Sequence, residues 1–319
     1  MFDKILGLHH VTAISSSPQK TIDFYTGILG LRLVKLTVNY DDPTTYHLYF
    51  GDEVGDPGTI LTFFPWPGAP KGRHGSGQLT VISLSIPALS LNYWTDRFET
   101  HGIPSRQHGE RFGEKIISLA DPDGQRLEIV GSPSVGNKRL WRDSPVPVEH
   151  SVRGFHSVTL EEHALEDTES LLIDVLGFRQ VGHEGNRFRY EVGHGGTGTL
   201  VDILAEPEAA TGLVSVGTVH HVAFRVPNEE EQKTLRREIV KVNPSVTPII
   251  DRNYFHSIYF REPGGVLFEA ATDPPGFTVD EPIDKLGTKL SLPPWLQPQR
   301  ETIEKSLPKV HLPKVVTAS

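Results

Sequence analysis

Four stretches of alternating apolar and polar residues recur along the chain, and alternation with period two predicts half-buried strands. They are Leu8-His9-His10-Val11-Thr12-Ala13-Ile14, Thr80-Val81-Ile82-Ser83-Leu84-Ser85-Ile86, Phe155-His156-Ser157-Val158-Thr159-Leu160 and Val219-His220-His221-Val222-Ala223-Phe224-Arg225-Val226. A helical stretch with its own punctuation follows each strand. Ser17-Pro18 opens the first and Gly30 closes it, Pro being favoured at the first helical position. Ser90 and Gly102 bound the second, and the third runs from Glu166 to Val175 and stops near Gly177. Asn228 followed by Glu231 opens the fourth with capping-box spacing. Each unit then ends in turn-rich strands and a glycine leading into an apolar strand, as in Gly58-Thr59-Ile60-Leu61-Thr62 and Gly265-Val266-Leu267-Phe268-Glu269.

The repeat is therefore a βαβββ unit used four times, an α+β architecture in which paired units form two half-open barrels. Residues 1–132 hold modules 1 and 2, and residues 154–273 hold modules 3 and 4. Between them, 133–153 is polar and rich in Pro and Ser, as an interdomain linker is. Residues 274–319 do not repeat. They form a Pro-rich tail with one short helical stretch, Arg300 to Ser306, expected to pack on the core.

Strand alternation decides which repeats can hold a metal. Val222, Phe224 and Val226 share one face, so His221 lies on the other; Val11 and Ala13 place His10 likewise. The matching position is Val81 in module 2 and Ser157 in module 3, which leaves His156 one residue out of register. On the closing strands the matching positions are Thr62, Glu128, Asp202 and Glu269. Pairing module 1 with 4 collects His10, His221 and Glu269, and pairing 2 with 3 leaves a site with no imidazole. No other pairing gives a complete set. Taken singly, either histidine reads as a polar residue at a strand end; both in one register with a matched carboxylate read as ligands. Two His and one carboxylate with positions left open is the ligand set of non-haem Fe(II) enzymes that use oxygen.

Composition narrows the chemistry further. The 319 residues are 37% hydrophobic and 22% charged, as in a soluble globular protein, and the net charge of −9 argues against nucleic acid as a partner. There is no cysteine, hence no thiolate ligand or nucleophile. No apolar run reaches bilayer length and the start has no signal-peptide pattern, so a cytoplasmic location is the default. His74, His183 and His194 sit among glycines and read as loop residues.

The architecture resembles the vicinal oxygen chelate superfamily, and several motifs resemble its hydroquinone ring-cleaving dioxygenases. Those motifs include Leu8-His9-His10, Tyr46-His47-Leu48-Tyr49-Phe50, Val148-Glu149-His150, Gly185-Asn186-Arg187, Val219-His220-His221, Asp251-Arg252-Asn253 and Phe268-Glu269-Ala270. The resemblance implies Fe(II) on His10, His221 and Glu269, in agreement with the register argument. Mn(II) is a workable substitute, and Zn or Ni is an expected contaminant on purification. It also implies pocket roles for Tyr259, Arg252, His220 and His9, although alternation turns His9 and His220 away from the metal and suggests action from the rim. The expected partners are a small aromatic substrate and O₂, with no membrane; a homo-oligomer is compatible with the sequence. A glyoxalase-like isomerase or lyase, using the metal as a Lewis acid, and a ligand-sequestering protein of the same fold are the competing readings.

Overall fold

The computed structural model describes residues 5–133 and 139–313. Module 1 comprises β1 (Leu8–Ser15), α1 (Pro18–Ile22), β2 (Arg32–Asn39), β3 (Asp42–Gly51) and β4 (Ile60–Pro65). Module 2 comprises β5 (Gln78–Pro87), α2 (Leu91–Thr100), β6 (Ser105–Arg111), β7 (Glu114–Ala120) and β8 (Arg126–Ser132). Module 3 follows as β9 (Phe155–Glu162), α3 (Glu166–Ser170), β10 (Arg179–Glu184), β11 (Arg187–Glu191) and β12 (Leu200–Ala205). Module 4 is β13 (Val219–Val226), α4 (Glu229–Val242), β14 (Ile250–Asp251), β15 (Phe255–Arg261) and β16 (Leu267–Pro275).

The strands form two eight-stranded sheets, β14-β15-β16-β13-β1-β4-β3-β2 and β10-β11-β12-β9-β5-β8-β7-β6. Modules 1 and 4 share the first and modules 2 and 3 the second, as the ligand argument requires. Each sheet thus draws one module from either side of the 133–153 segment. Within a module the opening and closing strands run parallel; between modules β1 meets β13, and β5 meets β9, antiparallel. This junction puts the two opening strands at the centre of the sheet, side by side.

The helix signals are borne out in part. The Ser17 hydroxyl accepts from the Lys20 amide, and the Asn228 side chain accepts from the Glu231 amide. In modules 1 and 3 only the first turn is α-helical. The chain then widens into π-helix over Asp23–Ile28 and Leu171–Val175, where Leu29 donates to the Phe24 carbonyl and Leu176 to that of Leu171. Gly30 and Gly177 leave these helices at φ 69° and 81°, backbone angles that favour glycine. Val11, Ala13, Val222, Phe224 and Val226 all enter the main apolar core, so the assigned buried face is the observed one.

In the tail, α5 spans Arg300–Ser306 as expected. Leu292, Leu296, Ile303 and Leu307 are buried in the main core, while Phe277 and Leu286 join a second cluster with Tyr49, Tyr254 and Phe255 beneath the first sheet. Lys35 of β2, fully buried, donates to the Asp280 carboxylate at 2.7 Å and also pairs with Glu281. A buried ammonium is tolerated only when paired in this way, so the pair ties the tail to the wall of the first sheet.

Candidate active site

At the antiparallel junction strict alternation fails. Leu8 pairs with Phe224 but His10 pairs with Ala223, so β1 spends one extra residue, His9, on a bulge. Two pairs further on, Thr12 faces His221 and Ala13 faces Val219, so His220 is the extra residue of β13. A bulged residue is not bound to point away from its neighbour, and bulges re-aim side chains beside functional sites. The Nδ1 atoms of His9 and His10 accordingly approach to 2.9 Å, and those of His220 and His221 to 2.8 Å.

His10, His221 and Glu269 converge. His10 Nε2 lies 3.3 Å from His221 Nε2, and the two nitrogens lie 3.2 and 3.0 Å from Glu269 Oε2. All three residues are buried, and among the described residues they form the group of His, Cys, Asp and Glu side chains able to hold a metal ion. The hydrogen bonds behind them set the tautomers. The Thr272 backbone lies near the His9 imidazole, and an Nε2 proton directed to it leaves His9 Nδ1 as an acceptor. His10 therefore donates from Nδ1 and presents a lone pair at Nε2. The His220 and His221 Nδ1 atoms make the same contact, and an acceptor Nδ1 on His220 gives His221 a lone pair at Nε2 in the same way. Ser257 donates to Glu269 Oε1, and no hydrogen-bond donor serves Oε2. Three electron-pair donors thus face one another at hydrogen-bond distance with no hydrogen to share, an arrangement that a cation makes favourable. The donor set fits a divalent metal.

Electrostatics agree with that fit. Burial opposes the charge on Glu269, and protonated His10 and His221 would hold its pKa well below the usual carboxylate range; with neutral imidazoles a bound cation takes over that role. Burial lowers the pKa of His221, and burial with the neighbouring His221 lowers that of His220 to about 3. Both are neutral imidazoles near pH 7, the form in which His ligates metals or donates and accepts hydrogen bonds.

A cavity of about 340 Å³ opens beside the triad, lined by His10, His47, His220, His221, Arg252 and Tyr259 among others, with Phe64, Trp66, Phe255 and Leu267 supplying apolar wall. Arg252 donates through Nε to the Tyr259 hydroxyl at 3.3 Å. Burial, then the nearby Glu269, pushes the Tyr259 phenol above its ordinary value, so it keeps its proton at neutral pH. Tyr259, Arg252 and His220 stand in the cavity wall. His9 does not. It is buried behind His10, against Phe255, and acts on the triad only through its contact with His10 rather than from the rim. Its bulge explains the difference: the extra residue folds inward behind its neighbour instead of alternating to the opposite face.

Sequence reasoning assigned no role to His47 and Tyr49. Both line the cavity; the His47 ring places Nδ1 2.8 Å from the Tyr49 hydroxyl and Nε2 2.8 Å from the Thr62 hydroxyl. The repeat could have exposed them. Tyr49 faces Thr62 across β3 and β4 as Tyr259 faces Glu269 across β15 and β16, so Tyr49 matches Tyr259, and His47 matches Ser257. In module 1 a Thr–His pair occupies the place of the Glu–Ser pair in module 4. His156, His74, His183 and His194 lie outside the triad. His156 instead pairs with Glu114 at 2.9 Å in the second sheet.

This geometry can be set beside known proteins. The model of the glyoxalase/bleomycin resistance protein/dioxygenase superfamily matches residues 7–129 and 155–270. Over 307 residues the chain is 45% identical to MhqO of Bacillus subtilis, named as a ring-cleaving dioxygenase, covering 96% of this chain and 97% of that one. It is 35% identical over 313 residues to a chlorohydroquinone/hydroquinone 1,2-dioxygenase of Sphingobium indicum, with 96% and 97% covered. A crystal structure of a Bacillus subtilis protein described as a dioxygenase matches with a TM-score of 0.93 at 44% identity, covering 98% of this chain and 100% of that one. The chain belongs to this superfamily and, within it, to the ring-cleaving dioxygenases. No helix among the described residues is long and apolar enough to cross a membrane.

Proposed function

We propose that the protein is a non-haem Fe(II) dioxygenase of the extradiol type that opens hydroquinone-type rings, with the metal held by His10 Nε2, His221 Nε2 and Glu269. The observation that carries this reading is the convergence of three buried lone-pair donors beside an aromatic-walled cavity. A bound ferrous ion supplies the electron transfer that lets O₂ react with an aromatic ring and lowers the pKa of a coordinated hydroxyl. The same ligands accept Mn(II), Zn or Ni, so the metal found after purification does not define the active form.

The chain's own groups bind, orient and move protons. Phe64, Trp66, Phe255 and Leu267 take the ring and exclude water. Tyr259 accepts from Arg252, which leaves its own proton free to donate to a substrate oxygen. His220 accepts from His221 at Nδ1 and so carries its proton on Nε2, as a second donor. Arg252 steadies negative charge that develops on the ring oxygens. A hydroquinone has hydroxyls at opposite ends of its ring, so only one can reach the metal and the protein must hold the other. Several polar groups away from the triad answer that need, and a catechol chelating through adjacent oxygens would leave them unused.

The position matching Glu269 in module 1 supports an oxygenase over a Lewis-acid isomerase. Thr62 stands there, engaged by the Thr12 hydroxyl at 2.8 Å and by His47, and brings no fourth charged ligand. Positions for both substrate and O₂ then stay open. The test is oxygen uptake by anaerobically iron-loaded protein across hydroquinones and the matching catechols, with identification of the product. Uptake with ring-opened product, faster for the hydroquinone, is expected. A catechol preference removes the substrate assignment, and equal turnover by the Zn form without oxygen removes the dioxygenase.

A further inference from the structure

At the mouth of the cavity one ion pair joins the two modules of the first sheet. Asp41, in the turn between β2 and β3, places Oδ2 3.1 Å from Arg252 Nη1. Arg252 precedes Asn253, whose φ of 67° and backbone N–H, donating to the Asp251 carboxylate, fix the turn that delivers the guanidinium. Both partners line the cavity: Arg252 is 19% exposed, and Asp41, at 73%, is open to solvent.

We propose that Asp41 is a specificity-determining residue that cancels the Arg252 charge at the cavity mouth, so that the site takes uncharged hydroxylated rings and discriminates against ring carboxylates. The inference rests on the hydroquinone reading and deepens it. Among the described cavity-lining residues, Arg252 is the cation and Asp41 the acid; the histidines His47, His220 and His221 are held neutral. Without Asp41 the guanidinium is an unopposed cation facing the substrate, the arrangement that recognises carboxylates bidentately. With Asp41 in place, an incoming carboxylate must either displace that partner or sit beside a like charge. The formal charges point the same way. A divalent ion with Glu269, Arg252 and Asp41 leaves one positive charge, which a single phenolate neutralises, whereas a carboxylate-bearing phenolate would make the site negative.

Asp41 is exposed, so its influence is screened by salt and its effect on selectivity is modest. The experiment compares Asp41→Asn with the unaltered protein by the ratio of kcat/KM for hydroquinone to that for 2,5-dihydroxybenzoate. The ratio should fall about three- to tenfold at low ionic strength, and the difference should shrink in 0.5 M salt (roughly a 4 Å Debye length). In an Arg252→Gln background the Asp41 substitution should no longer move the ratio. A second measurement does not depend on turnover: calorimetric binding of benzoate and of phenol to anaerobic Mn(II)-loaded protein. Asp41→Asn should tighten benzoate relative to phenol by a similar factor. If neither protein consumes oxygen with hydroquinone, the proposed activity fails while the binding ratio still tests the charge filter. A benzoate-to-phenol ratio unchanged by Asp41→Asn at low salt overturns the inference.

Discussion

In the first sheet the extra residues of the two central bulges are His9 and His220; in the second they are Thr80 and His156. The backbone device is the same in both, and so is its first consequence. His156 Nδ1 approaches the Ser157 hydroxyl to 2.9 Å, as His9 and His220 approach the histidines that follow them. What differs is the residue at the next position: His10 and His221 in one sheet, Val81 and Ser157 in the other. The closing acids have diverged as well. Across β11 and β12, Arg189 faces Asp202 where Tyr259 faces Glu269, and Arg187 stands where Ser257 does. Both arginines donate to Asp202, and Arg111 pairs with Glu128. Burial opposes the Glu128 charge, but Arg111 holds its pKa below the usual range. On the proposed reading the same fold position serves either as a metal ligand or as half of a buried ion pair. The choice is made by whether its neighbours are lone-pair donors or guanidinium groups.

The largest effect expected from this contrast is at the matched acids. Glu269→Ala should lose the metal and, with it, activity by more than about 1,000-fold. Asp202→Ala should leave metal content unchanged and instead destabilise the protein by about 3 kcal/mol, because Arg187 and Arg189 lose a buried partner. Metal analysis and urea unfolding of the two variants separate these outcomes; metal loss from Asp202→Ala would break the comparison.

Next come the residues that face those acids. Tyr259→Phe should retain metal and fold but lower kcat by about 10- to 100-fold through loss of a proton donor. Arg189→Ala, at the matching position, should leave kcat within about twofold and lower the unfolding midpoint, its guanidinium being paired with Asp202 and Glu114. Unchanged turnover in Tyr259→Phe would remove that residue from the mechanism.

A pH-dependent effect, separate from the metal, lies at the seam between the sheets, where Glu162 at the end of β9 meets Glu262 beside the β15–β16 hairpin. Burial and the Glu262 charge push the Glu162 pKa up to about 8. The folded protein keeps this proton after the unfolded chain has lost it, so stability should fall as pH rises from about 5 to about 8 and level off above. The slope from this group is at most about 1.4 kcal/mol per pH unit. Glu162→Gln should flatten that part of the stability–pH curve, and an identical curve would show that the seam does not titrate.

Much of this contrast was legible in the sequence. Alternation identified the buried face of the opening strands, and Ser17 and Asn228 marked two helix starts. Only one module pairing united His10 and His221 with a carboxylate. The bulges were not legible, because the extra residue leaves no compositional mark: Leu8-His9-His10 and Val219-His220-His221 read as ordinary strand with one more polar position. That is why His9 could be assigned to the rim although it lies behind His10. His47 and Tyr49 escaped for another reason. Tyr49 faces Thr62 across β3 and β4 and His47 bonds to the Thr62 hydroxyl, a placement set by hairpin register rather than by local pattern. The π-helical turns after α1 and α3 likewise depend on packing beneath the sheets, which a helix-like pattern does not distinguish from ordinary helix.

Metal should bind in the first sheet and not in the second. A crystal grown anaerobically with Fe(II), and an anomalous difference map at the iron edge, test it directly. One peak per chain is expected, about 2.0–2.3 Å from His10 Nε2, His221 Nε2 and a Glu269 oxygen. A peak between modules 2 and 3, or one bound by His156, would contradict it.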